Sequence, residues 1–117
     1  MEKQFRLRKN RDFQHVYRKG RSVPAQTLAL VWTKGPRNRL RIGFSVSKKI
    51  GNAVTRNRAR RRMREAVRHR IPLIKTGYSL IFIARKPITD ADFGKLDRDV
   101  TKVLRTSGLL SVEGNEA

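Results

Sequence analysis

Residues 48–70 read KKIGNAVTRNRARRRMREAVRHR and hold ten Lys and Arg residues, opposed by Glu65 alone. Wound as a helix at about 100° per residue, Arg56, Arg60 and Arg64 fall along one edge, and Arg58, Arg61, Arg62 and Arg68 spread over the rest of the solvent side. A guanidinium grips phosphate through a bidentate fork and stacks on bases, so an arginine-rich face suits RNA better than a lysine-rich one. A merely solvated helix face mixes signs in i,i+4 pairs, and this one does not. A second constellation joins Phe13 and Tyr17, at i and i+4, to a strand side made of Arg41, Gly43, Ser45 and Ser47. Aromatic rings beside small polar and basic groups suit sequence-tolerant stacking of unpaired bases, worth about 1–3 kcal/mol per base. The plainer alternative, in which Phe13 and Tyr17 are ordinary core, stays open at this level.

Chemistry by the chain's own side chains finds little support. A metal-dependent nuclease needs clustered carboxylates, whereas Asp90, Asp92, Asp97 and Asp99 lie in or before the last helix. There Asp90 and Asp92 read as caps and dipole partners, and Asp97 as a surface residue. His15 and His69 have no obvious carboxylate partner. No Gly-rich phosphate loop, Ser-His-Asp order or metal-ligand spacing occurs, so no catalytic residue is assigned and the metal ligands are left unknown.

Composition points the same way. The 117 residues carry a formal net charge of +20 and a pI near 11.8. Self-repulsion on that scale opposes compaction, and a polyanionic partner is the natural reason to keep it. Nucleic acid is favoured over membrane, because the basic segments lack an exposed apolar face rich in Trp, Phe and Leu. There is no cysteine, which fits a reducing compartment. The first ten residues hold no apolar run of the signal-peptide kind, and no stretch approaches the roughly 18 apolar residues of a membrane span. A cytoplasmic location is expected.

The elements that must position these residues follow from periodicity. A short helix is expected over residues 11–19, with Asn10 as N-cap and Gly20 at C′. A strand over 25–33 puts Leu28, Leu30 and Trp32 on one face and Thr27, Ala29 and Val31 on the other. A turn at 34–39 leads to a strand over 40–47, with Leu40, Ile42, Phe44 and Val46 on its core side. Gly51-Asn52 breaks the chain. A helix then runs from residue 54 or 55 to 70 with a thin apolar stripe of Ala59, Met63, Ala66 and Val67. Residues 78–85 are almost continuously apolar, as suits a strand covered on both faces. Thr89 or Asp90 caps a last helix carrying Phe93, Leu96, Val100, Val103 and Leu104, which Gly108 closes. One domain over 1–110 is expected, with 111–117 a disordered tail. The order α-β-β-α-β-α implies an α/β sandwich of the α+β kind, a mixed sheet packed by helices.

The run from Phe44 through Lys48-Lys49-Ile50-Gly51-Asn52 to Arg56-Asn57-Arg58 resembles the signature of the bacterial ribonuclease P protein component, with Arg56-Asn57-Arg58 standing as its "RNR" motif. Arg61, Arg62, Arg64 and Glu65 continue the likeness. The segment from Arg11-Asp12-Phe13 to Gly20 is similar to the family's first helix, and Ile83-Ala84-Arg85-Lys86-Pro87 to the end of its fourth strand. The resemblance spans about residues 5–104.

It implies a left-handed βαβ crossover around the RNR helix, where pattern rules alone give a right-handed one. It also implies the protein subunit of a ribonucleoprotein that removes the 5′ leader from precursor tRNA. The RNA subunit is the catalyst, magnesium is required by the ribonucleoprotein, and the protein itself binds no cofactor tightly. By the same resemblance, Lys48, Lys49, Arg56, Asn57, Arg58, Arg61, Arg62 and Arg64 contact the catalytic RNA. Phe13 and Tyr17 match the aromatic positions of a leader cleft, which Val31, Arg41, Ser45, Ser47, Arg85 and Lys86 would line. The partners implied are the catalytic RNA and precursor tRNA, with no membrane and no small-molecule substrate. The rival reading is a structural ribosomal protein or general RNA chaperone, which has no reason to distinguish precursor from mature tRNA.

Overall fold

The computed structural model describes residues 2–111. Four strands, β1 (Arg21–Pro24), β2 (Leu28–Lys34), β3 (Leu40–Ser45) and β4 (Tyr78–Ala84), form one sheet in the order β1-β2-β4-β3. β1 and β4 pair antiparallel with β2, and β3 runs parallel to β4. Three helices accompany them: α1 (Asn10–Lys19), α2 (Ala53–Arg68) and α3 (Phe93–Thr106). No helix among the described residues is long and apolar enough to cross a membrane.

The two faces of the sheet are unequal, and that inequality sets up the site. On one face Leu28, Leu30, Ile42, Leu80 and Phe82 meet Met63, Ala66 and Val67 of α2 and Leu96, Val100, Val103 and Leu104 of α3 in the main core. Each large side chain buried there contributes about 1.5–3 kcal/mol. The opposite face carries only Leu7, Val16, Val31 and Ile81, with Phe13 and Ile83 at its margin, beneath α1. One ten-residue helix cannot cover a four-stranded sheet. Part of that face therefore stays open while the main core keeps the sheet rigid. β4 lies between β2 and β3, which explains why its sequence is apolar almost throughout.

Several local expectations are corrected. Lys9, not Asn10, occupies the cap position of α1, and it makes no side-chain cap hydrogen bond. Gly20 is not left-handed (φ −81°). It is required for room, since a Cβ there would collide with the carbonyls of Val16 and Trp32 and with Val31. The strand expected over 25–33 starts later, β2 beginning only at Leu28, and it is preceded by β1, an element not expected, four residues with Pro24 at its end. Thr27 accordingly leaves the face assigned to it and turns to α3. β3 stops at Ser45, so Ser47 precedes a 3-10 turn instead of extending the strand. Asn52 caps α2, its Oδ1 accepting from the Thr55 N–H at 2.9 Å. α3 is capped by Asp92, because Lys86–Thr89 form a 3-10 turn of their own. Gly108 does close α3, at φ 78°. Of the expected tail, 112–117 lie outside the described residues. Ser111 is tied in, its N–H and hydroxyl both donating to the Leu73 carbonyl at 2.7 and 2.9 Å.

Two aspartates tie α3 to the rest of the fold. Arg70, just past α2, forks onto Asp97 of α3 at 2.7 and 2.8 Å, so Asp97 is not the plain surface residue expected. His69 also approaches it at 3.8 Å. Asp99 is buried and accepts from the Thr27 N–H and hydroxyl at 3.0 and 2.7 Å, with Lys95 at 3.2 Å. The hydrogen bond from Arg70 holds the Asp97 carboxyl below its ordinary value. For Asp99 burial pushes upward, but the hydrogen bonds from Thr27 and Lys95 outweigh it and the net shift is downward. A folded-state pKa below the unfolded one gives stability that is full above about 3.9 and lost as pH falls through the folded value. The urea midpoint should therefore hold steady from neutral pH down to about 5 and drop steeply below about 4. A midpoint that stays level through that acid range would contradict both pairings.

Candidate nucleic-acid interface

α2 turns its apolar stripe, Ala59, Met63, Ala66 and Val67, into the main core, and this leaves its cations on the rim and outer side. They divide by what they touch. Arg62 donates to the carbonyls of Ile88 and Ala91 at 3.0 and 2.5 Å, pinning the turn before α3. Arg56 donates through Nε to the Gly51 carbonyl at 3.2 Å. Arg64 lies 5.9 Å from the centroid of the Phe44 ring, and Phe44 in turn stacks on Phe82. Arg60 holds Asn57, and Arg68 pairs with Glu65. Lys48, Lys49, Arg58 and Arg61 are exposed, and their side chains take no protein partner among the described residues. The helix thus spends some arginines on its own architecture and presents others unpaired to solvent, a division the charge pattern alone does not reveal.

α1 crosses the thinly covered face. The Phe13 ring rests on Gly43, where a Cβ would strike it, so Gly43 is buried and not part of an open strand side as expected. Seen down the helix, Val16 and Phe13 face the sheet, with Asp12 and His15 on one flank and Tyr17 on the other. Phe13 is half-buried in the small cluster, while Tyr17 is 41% exposed. The rings stand 6.4 Å apart at 44°. Phe13 is thus packed at the margin of the small cluster, and Tyr17 is the exposed ring.

Arg41 does not join them. Its guanidinium lies 4.0 Å from Asp12, on the far flank of α1, because Gly43 and the ring on it stand between Arg41 and Ser45 along β3. Ser45, opposite Ile83 of β4, remains on the Tyr17 side, half-buried. Val31 lies beneath α1 with 8% exposure. Beyond Ile83 the Arg85 guanidinium donates to the Ala25 carbonyl at 2.7 Å. Lys86 Nζ donates to the carbonyls of Lys49 and Ile50 at 3.2 and 3.4 Å. That bridge ties the segment after β4 to the turn that leads into α2. Ser47, exposed, lies on the same connection.

Among the described residues no group of three His, Cys, Asp or Glu side chains could hold a metal ion. Asp12, Glu65, Asp97 and Asp99 are instead paired with cations.

The sequence and the fold both have relatives among known proteins. The family model described as Ribonuclease P matches residues 1–108. The chain is 43% identical over 117 residues to the ribonuclease P protein component of Chloroflexus aurantiacus, covering 99% of this chain and 87% of that one. It is 40% identical over 108 residues to the protein of the same name from Clostridium botulinum, covering 92% and 97%. Among solved structures, the RNase P protein of Staphylococcus aureus superposes with a TM-score of 0.82 at 34% identity, over 91% of this chain and 97% of that one.

Proposed function

The chain belongs to the ribonuclease P protein family and is a protein subunit of ribonuclease P, and from that premise we propose how its two surfaces serve removal of the 5′ leader from precursor tRNA. α2 and the turn before it dock on the catalytic RNA. Lys48, Lys49, Arg58 and Arg61 supply unpaired charge to its phosphates, and Arg56, Asn57, Arg62 and Arg64 keep the helix and its surroundings in shape. The cleft beside α1 takes the single-stranded leader, with Tyr17 as the stacking ring and Phe13 as the wall behind it. Bond cleavage belongs to the RNA subunit and the magnesium it requires. No step is assigned to this chain's carboxylates.

The observation that supports this reading is the Lys86 bridge to Lys49 and Ile50, which ties the segment after β4 to the turn before α2. A leader leaving the catalytic RNA at that turn passes directly into the cleft. The protein would then neutralise phosphates where two polyanions meet and favour precursor over mature tRNA. Such binding weakens with salt, by about 0.7 in log–log slope per single-strand phosphate neutralised.

Labelled precursor tRNA incubated at low magnesium with catalytic RNA, with the protein, and with both should be cut at the 5′ boundary only in the last case. Cleavage by the protein alone would overturn the division of labour. Absence of stimulation would overturn the roles proposed for the two surfaces. Within the cleft, Tyr17→Ala should reduce precursor affinity roughly fivefold or more, from the loss of a stacked base, and leave mature tRNA binding unchanged. An equal loss for both RNAs in a filter-binding titration would remove Tyr17 from the leader path.

A further inference from the structure

We propose that the flank of α1 opposite the leader cleft is a second RNA-binding trough, shaped for the backbone of a base-paired segment. The proposal rests on the RNA-binding reading above but assigns a surface that reading leaves unused. Two hollows meet there. One, of about 440 Å³, opens between the N-terminal arm and the start of β3, and is lined by seven Lys and Arg residues, Arg6, Arg8, Arg39 and Arg41 among them, with Asp12 the single carboxylate. The other, of about 300 Å³, continues along α1 past Asp12 and Arg41 to His15, Lys34 and Ser79. The shared Asp12 and Arg41 make the two a single trough.

Its construction is local. The arm is fixed along β3 by the Leu7 N–H donating to the Ile42 carbonyl at 2.9 Å and by a parallel bridge from Arg6 to Ile42. Arg6 and Arg8 are thereby held beside Arg39 and Arg41, and all but Arg41 are exposed. Mutual repulsion in so dense a group is relieved within the trough only by Asp12, so uncompensated charge remains for several phosphates.

The type of RNA follows from what the trough lacks. Neither hollow is lined by Phe, Tyr or Trp, and His15 of the second is their single ring, so there is no row of platforms for successive unpaired bases. Cations without a row of stacking rings read backbone, and a duplex offers regularly spaced phosphates without splayed bases. Nor does the trough present an apolar surface to enter a lipid layer. A leader in the cleft is separated from it by the full width of α1. The trough therefore takes a different RNA segment at the same time.

Two measurements test this. In anisotropy titrations with a blunt RNA hairpin about one turn long, the variant carrying Arg8→Gln, Lys34→Gln and Arg39→Gln should bind at least tenfold more weakly. Its salt slope should fall by about 0.9 for each phosphate that the variant no longer neutralises. Binding of a short unpaired oligonucleotide should be unchanged. In the unaltered protein, the hairpin should shield Lys9 and Lys34 from acetylation while Lys102, on α3, reacts as before. Parental hairpin affinity in the variant, an equal loss for the unpaired strand, or acetylation of Lys34 at the same rate with and without hairpin would each overturn the trough. None of these bears on whether the protein stimulates precursor cleavage, so the trough and the accessory-subunit reading fail separately.

Discussion

Replacing Arg58 and Arg61 together by alanine is expected to weaken assembly with the catalytic RNA about 100-fold, from two charge-assisted phosphate contacts of at least about 1.4 kcal/mol each. Both side chains are exposed on α2, and neither has a protein partner among the described residues, so their removal leaves no buried group unsatisfied. Thermal stability should barely change, and the salt slope of assembly should become shallower by about 1.5. Arg62→Ala should behave in the opposite way. Its guanidinium holds the carbonyls of Ile88 and Ala91, and its removal frees the turn before α3, lowering the melting temperature with a smaller effect on affinity. Arg105→Ala, at the far end of α3, is the control for a missing charge alone. Filter binding of each variant to catalytic RNA, beside a thermal melt, separates the three. If Arg105→Ala cost as much affinity as the Arg58/Arg61 pair, binding would depend on net charge and not on the α2 surface.

The contrast between Arg58 and Arg62 also marks where sequence stops being informative. Both sit in a run of arginines with nothing in type or spacing to tell them apart. The difference lies in a turn 26 residues away in the chain, and only the folded packing of α2 against that turn brings it into reach. The apolar stripe Ala59, Met63, Ala66 and Val67 is legible because periodicity is local information, and all four are buried as read. The same holds for β4, whose unbroken apolar run announces its cover on both faces.

Gly20 shows the opposite case. Its place after a short helix suggests a left-handed cap, but its reason is a close approach to β2 that no local rule encodes. Arg41 groups with Ser45 because alternate residues share a strand side, which is correct. That rule is silent on what lies across the strand, and α1 divides the face between them. β1 escapes notice because four residues carry too little pattern to stand out.

Asp99→Ala should be the most destabilising single change outside the sheet core, by about 3–5 kcal/mol, a large part of the total for a domain of this size. The residue is 3% exposed, and its partner Thr27 only 1%. Truncation would strand the Thr27 N–H and hydroxyl in the interior and leave Lys95 without its partner. No charged residue can be spared lightly from the acidic side of a chain at +20, since each carboxylate removed adds to self-repulsion. Nothing in its local sequence sets this aspartate apart from its neighbours in a helix of mixed charge.

The partnership can be isolated by adding Thr27→Val, which removes the hydroxyl that donates to Asp99. If the hydroxyl matters chiefly through Asp99, the second change should cost much less in the Asp99→Ala background than alone, a coupling on the order of 1–2 kcal/mol in a double-mutant cycle. The acid sensitivity should shrink as well, because a carboxyl that is absent cannot be protonated. What remains would be the contribution of Asp97, held by Arg70. Strict additivity in urea melts, or an acid transition unaltered by Asp99→Ala, would mean that the hydrogen bonds at 2.7 and 3.0 Å contribute nothing to holding the β1–β2 turn against α3.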